Sequence, residues 1–253
     1  MENTSYIGLS RQMALSRKLD IIANNVSNLN TAGYQGERAI FEEFLVESTN
    51  KREVSYVQDM GIWRDNARGP QVKTGSPFDL TTSENTFFVV GTDDGPRFTT
   101  NGRFQLSADG TLVNLNGLPV LDSNDEPIVI TEADGQINVT QAGLVTGDIG
   151  DIAELRIVTF NDLQRLWKAG GGLYNTGDAP IELTGTQDRD EIRVDIELEV
   201  NQGVFTVSNV QGIKEMTRMM DVVRAYTSTA NMLKTNHDLQ RTSVEKLGKV
   251  VTG

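Results

Sequence analysis

The side chains that could do chemistry are few, and their spacing does not assemble a reactive group. There is a single histidine, His237, and there are no cysteines. That removes disulfides, thiolate metal sites and a cysteine nucleophile. A catalytic histidine needs a cleft and an orienting partner. His237 instead falls inside a long run with helical periodicity, as a seam or surface residue. The two acidic clusters, Asp93-Asp94 and Asp188-Arg189-Asp190-Glu191, lack the ligand spacing and pivot glycine of a calcium loop and read as solvated surface. No nucleophile motif, phosphate loop or paired-histidine metal site is present. The residues therefore point to a chain that is not an enzyme and carries no cofactor.

Two further residue types have positional meaning. Asn24, Asn25 and Asn28 sit in a helical stretch, where asparagine is a poor helix former. Their amides would fix register against neighbouring subunits, as buried asparagine does in coiled coils. Gly33 follows them and would supply a positive-φ turn out of the helix.

Composition narrows the partners. The 253 residues are 38% apolar, so a thick core is not expected. Formal net charge is −12, which disfavours nucleic acid and anionic membranes. Residues 1–52 carry six basic and six acidic groups, and residues 210–253 are net basic, so the negative charge lies in the middle. No segment is apolar for long enough to span a bilayer. The opening residues do not read as a secretory signal peptide.

The elements follow from hydrophobic period. Leu15, Leu19, Ile22, Val26 and Leu29 are spaced four, three, four and three, a heptad seam, with Leu9 and Met13 flanking it. This predicts a helix of roughly 25 residues that ends near Asn30 to Gly33. At the other end Met216, Met219, Val223, Tyr226, Ala230, Leu233, Val244, Leu247 and Val251 share a second seam, interrupted by His237 and Gln240. Ser208 and Gln211 precede it with capping-box spacing. About 40 residues there would make a helix of ~60 Å.

Between the ends the pattern is β. Candidate strands lie at 86–90, 97–99, 103–106, 111–114, 128–130, 137–139, 155–159 and 193–200. Asn101-Gly102, Asp109-Gly110 and Asn116-Gly117 read as hairpin turns. The segment from Gly36 to Gly75 is expected to begin helical, over Phe41 to Val46, and then to become extended. The expected fold is α+β: terminal helices paired as a coiled coil, with an all-β domain inserted between them. The expected division is a helical polymerisation part (1–35 and 210–253), a connecting segment (36–80 and 185–209) and a β-rich outer domain (81–184). A single apolar seam leaves a lone helix wet, so the helices need each other. Ile21, Ile213, Met220, Met232 and Leu239 lie off the seams and call for further helical partners.

Specific motifs now match a family. The run Ala23-Asn24-Asn25-Val26-Ser27-Asn28-Leu29-Asn30-Thr31-Ala32-Gly33-Tyr34 resembles the N-terminal signature of the flagellar rod and hook proteins. Thr74-Gly75-Ser76-Pro77-Phe78-Asp79-Leu80, Phe87-Phe88-Val89-Val90 and Phe98-Thr99-Thr100-Asn101-Gly102-Arg103-Phe104 resemble its middle, in the same order. Ser208-Asn209-Val210, Glu215-Met216 and Arg224-Ala225-Tyr226 resemble its C-terminal signature.

The resemblance implies a structural subunit of the basal-body rod, most like the proximal rod type, with the distal rod type as the alternative. Such a subunit is exported through the flagellar type III apparatus without a cleaved signal. It polymerises with itself and other rod proteins and transmits torque across the periplasm. Seam and signature together mark the expected subunit interface: Leu15, Leu19, Ile22, Asn24, Asn25, Val26, Asn28, Leu29, Asn30, Thr31, Gly33 and Tyr34 at one end. At the other it takes Ser208, Asn209, Val210, Glu215, Met216, Met219, Val223, Arg224, Tyr226, Leu233 and Leu247. Two competing readings are a soluble ligand-binding β-domain on an oligomerising helical stalk and a trimeric surface adhesin. The first needs a compact constellation in the middle; the second needs a signal peptide and an outer-membrane anchor.

Overall fold

A computed structural model describes residues 2–47, 53–177, 180–184 and 198–251. It is an α+β chain with an N-terminal helix, a mostly β middle and a C-terminal helix. Helix α1 spans Glu2–Ser27 and helix α2 spans Gly212–Val251. Their 26 and 40 residues match the lengths read from hydrophobic period. The chain divides into two compact units: residues 1–27, 37–65 and 211–253 in one, and 28–36 with 66–210 in the other.

The first unit joins α1, α2 and a hairpin of strands β1 (Glu37–Glu47) and β2 (Glu53–Arg64). Gly8 of α1 lies against Leu233 of α2, and Gln12 Nε2 donates to the Tyr226 hydroxyl at 2.9 Å. Moving up α1 thus moves down α2, so the helices run antiparallel. The expected helical start at Phe41 to Val46 is strand instead. Ile40, Phe41, Phe44, Leu45 and Val46 are β-branched, aromatic or large apolar residues that suit a pleated surface. Pairing with β2 over eleven positions settles the competition. One β-bulge interrupts the ladder after Ile40, where Gly61 adopts φ +125°.

The second unit is built on a six-stranded sheet. Its order is Trp167–Gly170, Leu173–Asn175, Gly95–Thr99, Phe87–Thr92, Ile157–Thr159 and Ile181–Glu182. The central strand Phe87–Thr92 alternates its side chains between two cores. Phe88 and Val90 join Leu80, Phe104, Leu112, Val120, Ile128, Leu155 and Ile157 on one face. Phe87 and Val89 join Phe98, Val158, Phe160 and Tyr174 on the other. Edge-to-face ring contacts at 4.8–5.8 Å tie the second cluster together.

One turn assignment changed. Asp109-Gly110 closes a hairpin between Phe104–Leu106 and Leu112–Asn114 as expected. Asn101-Gly102 does not: the chain there leaves the large sheet and crosses under Leu80, whose N–H donates to the Gly102 carbonyl at 2.8 Å. Gly102 is needed for that approach, since a Cβ would meet the Leu80 oxygen at 1.8 Å. The hairpin from Phe87–Thr92 to Gly95–Thr99 turns at Asp93-Asp94, so that acidic pair is a turn. The cluster 188–191 lies outside the described residues, as does the expected strand from 193 to 197; Leu198–Val200 is not strand.

Candidate subunit interface

The α1 seam is where the spacing placed it from Leu15 to Val26, while Leu29 lies beyond the end of the helix. Exposure falls at Gly8, Gln12, Leu15, Leu19, Ile22 and Val26, at steps of three and four. The α2 seam is displaced by one residue in every second layer. Glu215, Met219, Val222, Tyr226, Thr229, Leu233, Asn236 and Gln240 form the less exposed stripe. Met219, Tyr226 and Leu233 are as expected. Glu215, Val222, Thr229 and Asn236 stand where Met216, Val223, Ala230 and His237 are expected, and Met216 and Val223 are exposed.

The physical reason is that two polar residues meet their own needs inside the seam. Glu215 is 6% exposed and pairs with Arg218 one turn on. It also sits in the first turn of α2, where a carboxylate favours the helix dipole. Buried Thr229 donates its hydroxyl to the Ala225 carbonyl at 2.9 Å. Hydropathy alone cannot separate rows one residue apart when Val222 and Val223 are adjacent. Leu247 lies in α2, and its side chain is outside the described set.

The signature residues serve contacts inside the chain. Asn25 is buried, and its amide bonds both main-chain groups of Glu37, so these bonds of its amide are intramolecular. Glu37 faces Arg64 across the hairpin, with Nε 4.0 Å from its carboxylate. Asn24 and Asn30 are exposed; Leu29 and Val210 are half-buried. Asn28 accepts from the Thr31 hydroxyl at 3.0 Å, closing the turn after α1.

Gly33 has φ +69° as expected and lies buried beneath Thr100. Tyr34 is buried under the Lys168 ammonium, 4.0 Å from its ring centroid. Asn209 takes the Gly36 N–H at 2.8 Å and gives its own amide to the Ala67 carbonyl at 2.8 Å. Ser208 does not cap α2. Its hydroxyl accepts from Val210 N–H, a local turn, and the helix opens after Gln211, whose carbonyl takes the Glu215 N–H. Arg224 is exposed 4.0 Å from Asp221.

Sequence reasoning missed Gly8, Gln12, Val222 and Arg64. The signal for Gly8 was there: a small residue on the seam face lets another helix approach closely. The remaining polar features hold no reaction centre. In a cleft of the second unit, Arg68 donates to the Thr81 hydroxyl, the Thr82 carbonyl and Thr206 Oγ1. Burial lowers the Arg68 pKa from the usual arginine value, against the opposing pull of Glu84 and Glu199. The cavity there is about 40 Å³, room for about three waters at ~10–15 Å³ each. His237 is exposed on α2, 4.0 Å from Asp238. Among the described residues no group of His, Cys, Asp or Glu is placed to hold a metal, and no helix is long and apolar enough to cross a membrane.

Comparison with known proteins bears on both ends and the middle. A family model described as flagella basal body rod protein matches residues 6–35. One for the C-terminal part of flagellar basal body rod FlgEFG proteins matches 201–246. One for the flagellar hook protein FlgE/F/G D1 domain matches 83–147. The flagellar basal-body rod protein FlgF of Caulobacter vibrioides is 35% identical, covering 99% of this chain and 100% of its own length. FlgF of Mesorhizobium japonicum is 30% identical over 98% of this chain and 99% of its own. FlgG of Bacillus subtilis, also a basal-body rod protein, is 28% identical over 94% and 97%.

Proposed function

This chain belongs to the flagellar basal-body rod protein family, a structural subunit and not an enzyme, and we propose that it builds the proximal part of the rod. In this reading it polymerises with itself and with other rod proteins into a shaft that crosses the periplasm and transmits torque. It reaches the growing tip through the flagellar type III export apparatus, a route that suits its cysteine-free composition.

The observation that carries the proximal position is the full-length likeness to FlgF proteins, at up to 35% identity. The polymerising part comprises 1–35 and 210–253, the connecting part 36–80 and 185–209, and the outer part 81–184. The antiparallel contact of α1 and α2 supports a coiled-coil pairing within the first of these. The interface residues, from Leu15 to Tyr34 and from Ser208 to Leu247, act by shaping the chain around the helical unit and by meeting neighbouring subunits. A distal position is the second reading, favoured by the likeness to FlgG.

Electron microscopy of basal bodies from a strain lacking only this gene separates them. Assembly that halts with no rod or a short stub is the expected result. A rod without a hook places the subunit distally. Complete flagella would overturn the axial role.

A further inference from the structure

Two buried acceptors in the second unit border one cavity. Gln35 is 8% exposed, and its Oε1 accepts no hydrogen bond from the described residues. The same holds for the buried Oδ1 of half-buried Asn66. Both residues line the cavity described above, as do Arg68, Glu84 and Thr100. The whole of its lining belongs to the second unit.

Donors on the wall are committed elsewhere. Arg68 donates to Thr81, Thr82 and Thr206. The Thr81 and Thr206 hydroxyls share a bond at 2.8 Å, and those of Thr82 and Thr86 share another. Thr86 donates to the Ser83 carbonyl at 2.7 Å, and Thr100 donates to the Gly33 carbonyl at 2.6 Å. A buried acceptor left without a donor has lost its hydration for nothing in return. The donor for Gln35 and Asn66 must therefore come from what fills the cavity.

Charge and size identify that occupant. Two orphan acceptors repel an anion, and the Arg68 guanidinium repels a cation. Glu84 on the same wall balances Arg68, so a neutral molecule suits the site. A volume of about 40 Å³ admits a few small molecules of one heavy atom each and nothing larger.

We infer that the cavity is a water site, in which a cluster of about three ordered molecules donates to Gln35 Oε1 and Asn66 Oδ1. Gln35 follows the buried turn at Gly33, and Asn66 opens a later pass of the chain. The cluster thus joins two passes through hydrogen bonds that the wall itself does not provide. The site does not depend on the rod reading, because it lies within one folded unit.

The test is water–protein NMR on the native full-length chain. Paired NOE and ROE spectra separate held water from proton exchange. The expected result is held water at the side-chain amides of Gln35 and Asn66. No held water at either amide overturns the inference. Gln35→Met keeps the length of the side chain and removes the acceptor. The water signal at Asn66 should then lose about half its intensity, since one of two anchoring acceptors is gone; full intensity would mean that Gln35 does not hold the cluster, which also overturns it. Titration with potassium chloride and with phosphate should leave both amides unmoved. A saturable shift with either would assign the cavity to an ion and overturn the water site. The rod assignment is untouched by any of these results, because it falls only if the strain lacking the gene builds complete flagella.

Discussion

The side-chain amide of Asn25 grips both main-chain groups of Glu37: Nδ2 donates to the carbonyl at 2.8 Å, and the N–H donates to Oδ1 at 3.0 Å. The amide stands in for the peptide of a missing strand and ties the end of α1 to the first residue of β1. An asparagine that is costly in a helix by propensity is retained for a contact only an amide can make.

Asn25→Ala leaves both Glu37 groups without this partner. The helical unit should lose ~1–3 kcal/mol in denaturant unfolding. Hydrogen exchange at the Glu37 amide should speed up while Leu112 in the β core stays protected. Unchanged exchange at Glu37 would show that the clamp does not hold the hairpin.

Gly33 and Gly117 both have positive φ, +69° and +80°, but only Gly33 is crowded. A Cβ on Gly33 would stand 2.4 Å from the Thr100 carbonyl oxygen, whereas Gly117 faces open space. Alanine at either position meets ~1–2 kcal/mol of backbone cost. Gly33→Ala should lose a further ~1–3 kcal/mol from overpacking against main chain. Equal thermal melts for the two variants would remove the close approach as a constraint.

Leu233 and Met216 separate packing within the chain from packing between chains. Leu233→Asp should destabilise the helical unit by ~2–4 kcal/mol, by loss of apolar contact with α1, and abolish rod incorporation. Met216→Lys, on an exposed face, should move monomer stability by no more than ~0.5 kcal/mol and still impair assembly. Circular dichroism melts and recovery in purified basal bodies read the two effects. Normal incorporation of Leu233→Asp would defeat the seam.

Asp134 gives a pH signature. Its carboxylate takes the Thr131 N–H at 2.7 Å and the Thr131 hydroxyl at 2.8 Å, and these bonds hold its pKa below the ordinary aspartate value. A depressed carboxylate adds stability above the ordinary carboxylate range, and that stability is lost as pH falls through the folded value. The stability gap between the native chain and Asp134→Ala should therefore be present at neutral pH and close in acid. Carboxyl carbon titration by NMR should show a lowered midpoint that Thr131→Val partly restores. A gap that widens in acid would reverse the assignment.

Much of the architecture was legible. The 3.6-residue period found both helices to within a few residues, and short apolar runs beside turn pairs found Phe87–Thr92 and its neighbours. The extended reading of the stretch after Val46 fits β2, but β1 was not legible, because its apolar residues cluster in a way that also fits one helical face. Pairing between distant positions, Glu37 with Arg64 for instance, decides such cases. Layers of the α2 seam were half legible: Met219, Tyr226 and Leu233 announce themselves by hydropathy. Glu215 and Thr229 are buried through bonds to Arg218 and Ala225 that no hydropathy scale records. The signature motif was recognised as a pattern, but its Asn25 and Gly33 act on partners, Glu37 and Thr100, that only the folded chain identifies.

Those polar layers have a mechanical consequence. Where Glu215, Thr229, Asn236 and Gln240 interleave with Met219, Val222, Tyr226 and Leu233, the contact between the helices is a zipper with weak teeth. The twin β cores of the second unit carry far more apolar contact. Tension on either end of the chain thus peels the helices apart before it reaches the sheet, and the termini serve as handles from which the molecule unravels.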